Sequence, residues 1–125
     1  MIEIKEDYLM EMARVGQYKN YEVIIWTNDN GKVPHFHLRD SNTHGEEFHT
    51  CICINEAKYF LHTGKEDKLN AKGRRELSDF LNSKSNAKRF ESFTNWQIVL
   101  TLWNMNNSDV LVDEDLVMPD YTKLK

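Results

Sequence analysis

No apolar run in this chain approaches the roughly 20 residues that cross a bilayer as a helix, and the opening "MIEIKEDYLMEM" is acidic where a secretory leader would be basic and then apolar. A membrane protein is therefore not expected, and the expected location is cytoplasmic. Cysteine is nearly missing: Cys51 and Cys53 stand alone as i and i+2 neighbours, poorly placed for an unstrained bridge to each other. Disulfide stapling is not expected on that reading, which suits a reducing compartment. Proline is scarce too, with only two, and there is no Pro/Gly linker, internal repeat or low-complexity tract. Nothing divides the 125 residues, so one domain is expected over 1–125, with its core at about 13–107. The acidic ending 108–125 reads either as a further strand or as a loose tail.

Excess positive charge is also lacking. A formal net charge of -4 argues against a generic polyanion binder, because non-specific affinity for nucleic acid comes mostly from cations meeting phosphates. One stretch departs from this balance. Between Lys65 and Arg89 lie eight cations against four anions, and Lys72, Arg74 and Arg75 fall on the polar side of a predicted helix. They are the candidate nucleic-acid contacts, although a solvated helix face is the simpler account of such a run.

What is present alternates. "MARVGQYKNYEVIIWTND" reads as two extended runs around Lys19-Asn20, a hairpin rich in the β-branched and aromatic residues that suit a pleated surface. A helical turn over Lys5 to Met12 precedes it. After the turn cluster "NDNG", Pro34 cannot donate to a ladder and should start a strand. The period of two in "HFHLR" then sends Phe36 and Leu38 one way and His35, His37 and Arg39 the other. "EFHTCICI" alternates likewise, with Phe48, Ile52 and Ile54 on one face and His49, Cys51 and Cys53 on the opposite one, after a loop holding His44 and Gly45. If these strands pair, the histidines and cysteines gather on the face away from the core. "AKYFLH" is read as a further strand.

The second half changes period. Leu69, Gly73, Leu77, Phe80 and Leu81 predict a helix from about Asn70 to Asn82. In "FTNWQIVLTLWNMNN", Thr94 and Gln97 have capping-box spacing, and Trp96, Val99, Leu100 and Trp103 form an apolar stripe that asparagines 104, 106 and 107 end. The expected class is α+β: an antiparallel sheet of about four or five strands, covered on one face by two C-terminal helices.

The order "YEVIIW", polar turn, "PHFHL", second strand, Gly64 and basic helices resembles the bacterial family called domain of unknown function 4160, whose signature is a Pro-Pro-His-Phe-His-Val strand. The resemblance covers roughly residues 13 to 107, and only the histidine segment is specific. Val33 stands where the family has its first proline and Leu38 where it has valine, so the chain is similar to a divergent relative. The resemblance implies a bacterial or phage origin, a fold and toxin-antitoxin-like surroundings; it implies no reaction.

Three roles compete for the histidine face. As a metal site, His35, His37, His49 and Cys51 offer the nitrogen and sulfur donors that zinc prefers, within cross-strand reach. As a metal-free catalytic pair, His35 and His37 would act as general base and acid in a ribonuclease-like hydrolase, since imidazole offers both protonation states near neutrality. As structural residues, their ring nitrogens satisfy nearby carbonyls, or face a partner. The fewest coincidences attach to the last, so the leading expectation is a binding or regulatory module without enzymatic activity or resident cofactor. It would act through a protein partner, self-association or nucleic acid, across a sheet face that the helices leave open.

Overall fold

The computed structural model describes residues 12–27, 33–40, 48–60 and 67–125. Four strands, β1 (Met12–Tyr18), β2 (Tyr21–Trp26), β3 (His35–Asp40) and β4 (His49–Cys53), form one antiparallel sheet in the order β1-β2-β3-β4. The first pair turns at Lys19-Asn20, where Lys19 takes a positive φ of 52° that a tight hairpin requires. Pro34 lies just outside β3, and its carbonyl accepts from the Ile54 N–H at 2.9 Å. A bulge between Arg14 and Gly16 bends β1. There Phe80 approaches so closely that a Cβ on Gly16 would meet its Cζ at 2.8 Å.

Two helices lie across one face. In α1 (Ala71–Asn82) the buried stripe is Gly73, Leu77 and Leu81, and the Asn70 side chain caps it by accepting from the Gly73 N–H at 2.8 Å. The α2 helix (Asn95–Asn106) opens with the expected capping box: Thr94 Oγ1 accepts from the Gln97 N–H, and Gln97 Oε1 from the Thr94 N–H. Against these helices the sheet presents Ala13, Val15, Val23, Ile25, Phe36, Leu38 and Ile52, all essentially without solvent exposure. The α+β expectation, a four-strand antiparallel sheet with two helices, therefore holds.

Three expectations need correction. Residues 57–60 make no full strand: Tyr59 forms an isolated bridge to Ile52, and the Phe60 N–H donates to the Cys51 carbonyl. The ending is neither a strand nor loose. It runs along α2 as an extended strap, taking the Trp103 indole N–H on the Val110 carbonyl at 2.7 Å and the Trp96 indole N–H on the Leu116 carbonyl at 2.8 Å. A short 3₁₀ turn (Tyr121–Lys123) then buries Tyr121, whose hydroxyl donates to the Cys53 carbonyl at 2.6 Å. The strap covers the Trp96, Trp103 and Asn104 side of α2, and the helix also buries Ile98 and Leu102 beyond its predicted stripe. The third correction concerns the other sheet face, which is not open. His35 is wholly buried, and His37, Cys51, Cys53, Glu22 and Ile24 are at most 3% exposed. Ile24 and Trp26 share this face with the histidines, and a face so apolar is costly to leave wet.

The turn expected over Lys5 to Met12 and the loop holding His44 and Gly45 lie outside the described residues. No helix among the described residues is long and apolar enough to cross a membrane.

Candidate metal centre

The register of β3 and β4 assembles the site. His35 lies opposite Cys53, His37 opposite Cys51 and Arg39 opposite His49, so all the expected donors occupy one face at consecutive same-face rungs. His37 sits at the centre. Its Nδ1 is 2.8 Å from Nε2 of His49 and 3.3 Å from Cys51 Sγ, and its ring stacks on that of His49 with centroids 5.1 Å apart. Donor atoms of His35, His37 and Cys51 all lie within 4.8 Å of one another, and all three residues are buried. This group could hold a metal ion.

The surroundings fix the rings. Nδ1 of His35 is 2.6 Å from the Val33 carbonyl. A carbonyl only accepts, so the proton resides on Nδ1 and the lone pair of the neutral ring on Nε2. That pattern, one imidazole nitrogen donating to a backbone carbonyl while the other keeps its lone pair, is how ligating histidines are ordinarily oriented. Phe60, Trp103 and Trp26 wall the cluster: the first two rings stand 4.5 and 5.7 Å from His35, and Trp26 meets His37 edge-on at 6.1 Å. His49, half-buried at the rim, is tied through its backbone to Asp67. Its N–H donates to Asp67 Oδ2 at 3.0 Å, and its carbonyl accepts from the Asp67 N–H at 3.2 Å.

Cys53 belongs to the same face but not to the donor group. Burial pushes its thiol above the ordinary range; Lys58 pulls it down, and Glu56 pushes it up. Arg39, next along the face, is engaged by buried Glu22, with Nε 2.6 Å from Oε1.

The structure brings together His35, His37, His49 and Cys51 and separates them from the other candidate set. Lys72 and Arg75 are exposed on α1. Arg74 instead clamps the fold, donating from Nε to the Thr122 carbonyl at 3.1 Å and from Nη1 to the Leu69 carbonyl at 3.0 Å. Sequence reasoning missed Phe60, Trp103 and Asp67, which arrive through tertiary packing; a ring nitrogen satisfying a nearby carbonyl was expected, and His35 Nδ1 against the Val33 carbonyl is that contact.

Fold and site define an α+β protein with a buried histidine-cysteine cluster on the sheet face shared by Ile24 and Trp26. Comparison with known proteins adds no relative: no family model, no curated protein and no solved structure matches the chain.

Proposed function

We propose that this protein is a small binding or regulatory module whose second sheet face is built around one zinc ion, held by His35, His37 and Cys51 with His49 completing the set. The observation that carries the reading is the donor spacing. With Zn–N near 2.0–2.1 Å and Zn–S near 2.3 Å, a tetrahedral site separates its nitrogens by about 3.3 Å and nitrogen from sulfur by about 3.6 Å. The contacts of 2.8 and 3.3 Å around His37 Nδ1 differ from those values by no more than small ring rotations. One soft thiolate with imidazoles favours zinc over magnesium or calcium, which take oxygen.

His35, His37 and Cys51 are buried and His49 stands against His37 at the rim; with His49 as fourth ligand the ion would be closed and structural rather than hydrolytic, because catalytic zinc keeps a position for water. The hydrolase reading has no comparable support, as among the described residues no carboxylate joins the donor group. As a zinc module, the protein acts by what its surfaces bind.

The test is elemental analysis of full-length, tag-free protein purified without chelator, followed by zinc titration of chelator-treated protein. About one zinc per chain is expected, lost in His37→Ala and Cys51→Ser variants that keep their far-ultraviolet dichroism. A folded wild-type chain that takes up no zinc at stoichiometric concentration overturns the proposal.

A further inference from the structure

Four partly exposed aromatic rings form a row at the hairpin end of the sheet. Phe80 of α1 stacks on Tyr18 with centroids 4.7 Å apart, Tyr18 meets Tyr21 across the turn at 5.8 Å, and Tyr21 meets Phe48 edge-to-face at 5.3 Å. Each supports the core with one side and keeps some surface open. Two clefts border the row and share Lys19 and Glu76, so they adjoin. The smaller, about 250 Å³, has Tyr21 and Phe48 on its wall with Lys68 and Lys72; the larger, about 720 Å³, has Tyr18 and Phe80 with Lys84 and Asp79.

Charge distinguishes the two clefts. Lys19 is ion-paired with Glu76, which leaves Lys68 and Lys72 as the net charge among the described residues of the smaller one, while Lys84 and Asp79 balance in the larger. The smaller cleft also lies at the start of α1, where the helix's positive end adds to the lysines and no acidic residue in the first turn offsets it. The result is a positive, aromatic-walled pocket opening into a neutral, aromatic-walled extension. A purely apolar ligand has no use for the lysines, and a free phosphate has no use for the rings. A chain of phosphates and planar bases uses both.

We propose that this groove binds a short stretch of single-stranded nucleic acid, with phosphates at Lys68 and Lys72 and bases against Tyr21 and Phe48, continuing toward Tyr18 and Phe80. The proposal does not depend on the zinc reading, and it replaces the sequence-predicted trio with a different set in which only Lys72 is kept. It also fits the acidic chain as a whole. With two net phosphate contacts, the logarithm of affinity should fall with that of salt at a slope of only about -1.4.

The experiment is fluorescence anisotropy of labelled oligothymidylate and oligouridylate with the full chain at low ionic strength, then across a salt series. Wild type is expected to bind both single strands. A Lys68→Glu, Lys72→Glu double variant should lose at least about tenfold in affinity and flatten the salt slope. Tyr21→Leu with Phe48→Leu should lose about tenfold while leaving the slope unchanged, because stacking releases no counterions. Lys88→Glu with Arg89→Glu, the same charge change outside both clefts, should leave affinity within about twofold. Tighter binding of oligouridylate would name RNA as the natural ligand, and tighter oligothymidylate would name DNA. Lack of binding to either strand by folded wild type overturns the proposal. So do equal losses in the two charge-reversed variants, or a duplex bound as tightly as the single strands, since paired bases have no free faces to stack. Should the aromatic variant misfold, the two charge-reversed variants and the salt slope still decide.

Discussion

Glu22 offers the sharpest test of how this sheet uses buried charge. Its carboxylate is 3% exposed on β2 and faces two guanidinium groups, with Arg39 Nε at 2.6 Å and Arg14 Nη2 at 3.0 Å. The two contacts differ in kind. Arg39 stands opposite Glu22 in the β2–β3 register, its side chain is 19% exposed, and it makes a hydrogen bond. Arg14 is 54% exposed, and Glu22 Oε2, the oxygen it approaches, accepts no hydrogen bond. Charge-assisted hydrogen bonds in low dielectric contribute about 1.5–3 kcal/mol, whereas exposed ion pairs contribute about 0.2–1 kcal/mol. Double-mutant cycles by urea unfolding, with alanine at each position, should therefore give a Glu22–Arg39 coupling of about 2 kcal/mol and a Glu22–Arg14 coupling below about 0.5 kcal/mol. Glu22→Ala alone should cost about 3 kcal/mol, the low end for breaking a buried pair, because Arg39 keeps some access to water. The m-value should not change. Equal couplings for the two arginines, or a Glu22→Ala cost under about 1 kcal/mol, would refute the claim that burial and geometry rank these contacts.

Tyr121→Phe removes the 2.6 Å hydrogen bond to the Cys53 carbonyl in the buried end of the strap and should cost about 1–2 kcal/mol by urea denaturation. Thr94→Ala removes the half of the capping box on α2 in which Oγ1 accepts from the Gln97 N–H, leaving the residue-94 backbone N–H to donate to Gln97 Oε1, and should cost about 1 kcal/mol, with Gln97→Ala costing less because the Thr94 side chain still caps. Gly16→Ala would place a Cβ 2.8 Å from Phe80 Cζ. Because that ring is held against Tyr18, the change should destabilise by about 1–3 kcal/mol, and a neutral result in thermal melts would mean the ring yields freely. The Thr122 hydroxyl and N–H donate to Asp120 and hold its carboxyl below the ordinary carboxylate range. The folded pKa is depressed, so this contribution is complete above the unfolded value and is lost as pH falls through the folded one. Thr122→Val should move the Asp120 titration, followed by carboxyl carbon NMR, back upward.

Legibility followed the range of the physics. The hairpin, the helix from about Asn70 to Asn82, the Thr94–Gln97 box and the sorting of His35, His37, His49, Cys51 and Cys53 onto one face depend on neighbours within a few residues or on a short period, so they were readable. The strap was not, because 108–125 has no apolar period; it is held by the Trp96 and Trp103 indole N–H groups seeking carbonyls, a need visible only once α2 is placed. Tyr59 has strand character but lies where its N–H meets the terminal carbonyl of Lys125, so a single bridge replaces a ladder. Openness of the histidine face was misjudged for a related reason. Alternation identifies two faces, but whether the second is wet depends on its apolar content, and Ile24 and Trp26 of the neighbouring strand supply that content. Arg74 shows the same limit, since its charge suggested solvent or phosphate while its actual partners are two backbone carbonyls.

The position of the donors within the sheet bears on what a metal would do there. Among the described residues β4 is an edge strand, paired along its length with β3, and the described chain on its outer side contributes one bridge at Tyr59, single backbone bonds from Cys53 to Lys58 and from Phe60 to Cys51, and the Asp67 bonds to the His49 backbone. Edge strands depend on such devices to hold register and resist pairing with other chains. A one-residue slip of β4 would carry Cys51 and His49 to the helix-covered face and bring Thr50 and Ile52 beneath His37. An ion bound by His35 and His37 from one strand and Cys51 and His49 from the other would penalise that slip directly, since the donors converge in one register alone. The opposite face does not need the ion: Phe36, Leu38 and Ile52 are buried against α1, α2 and the strap through apolar contact alone. Metal loss from such a site should loosen β4 while the helix-covered core stays folded, unlike a zinc finger, where the ion supplies the folding energy outright.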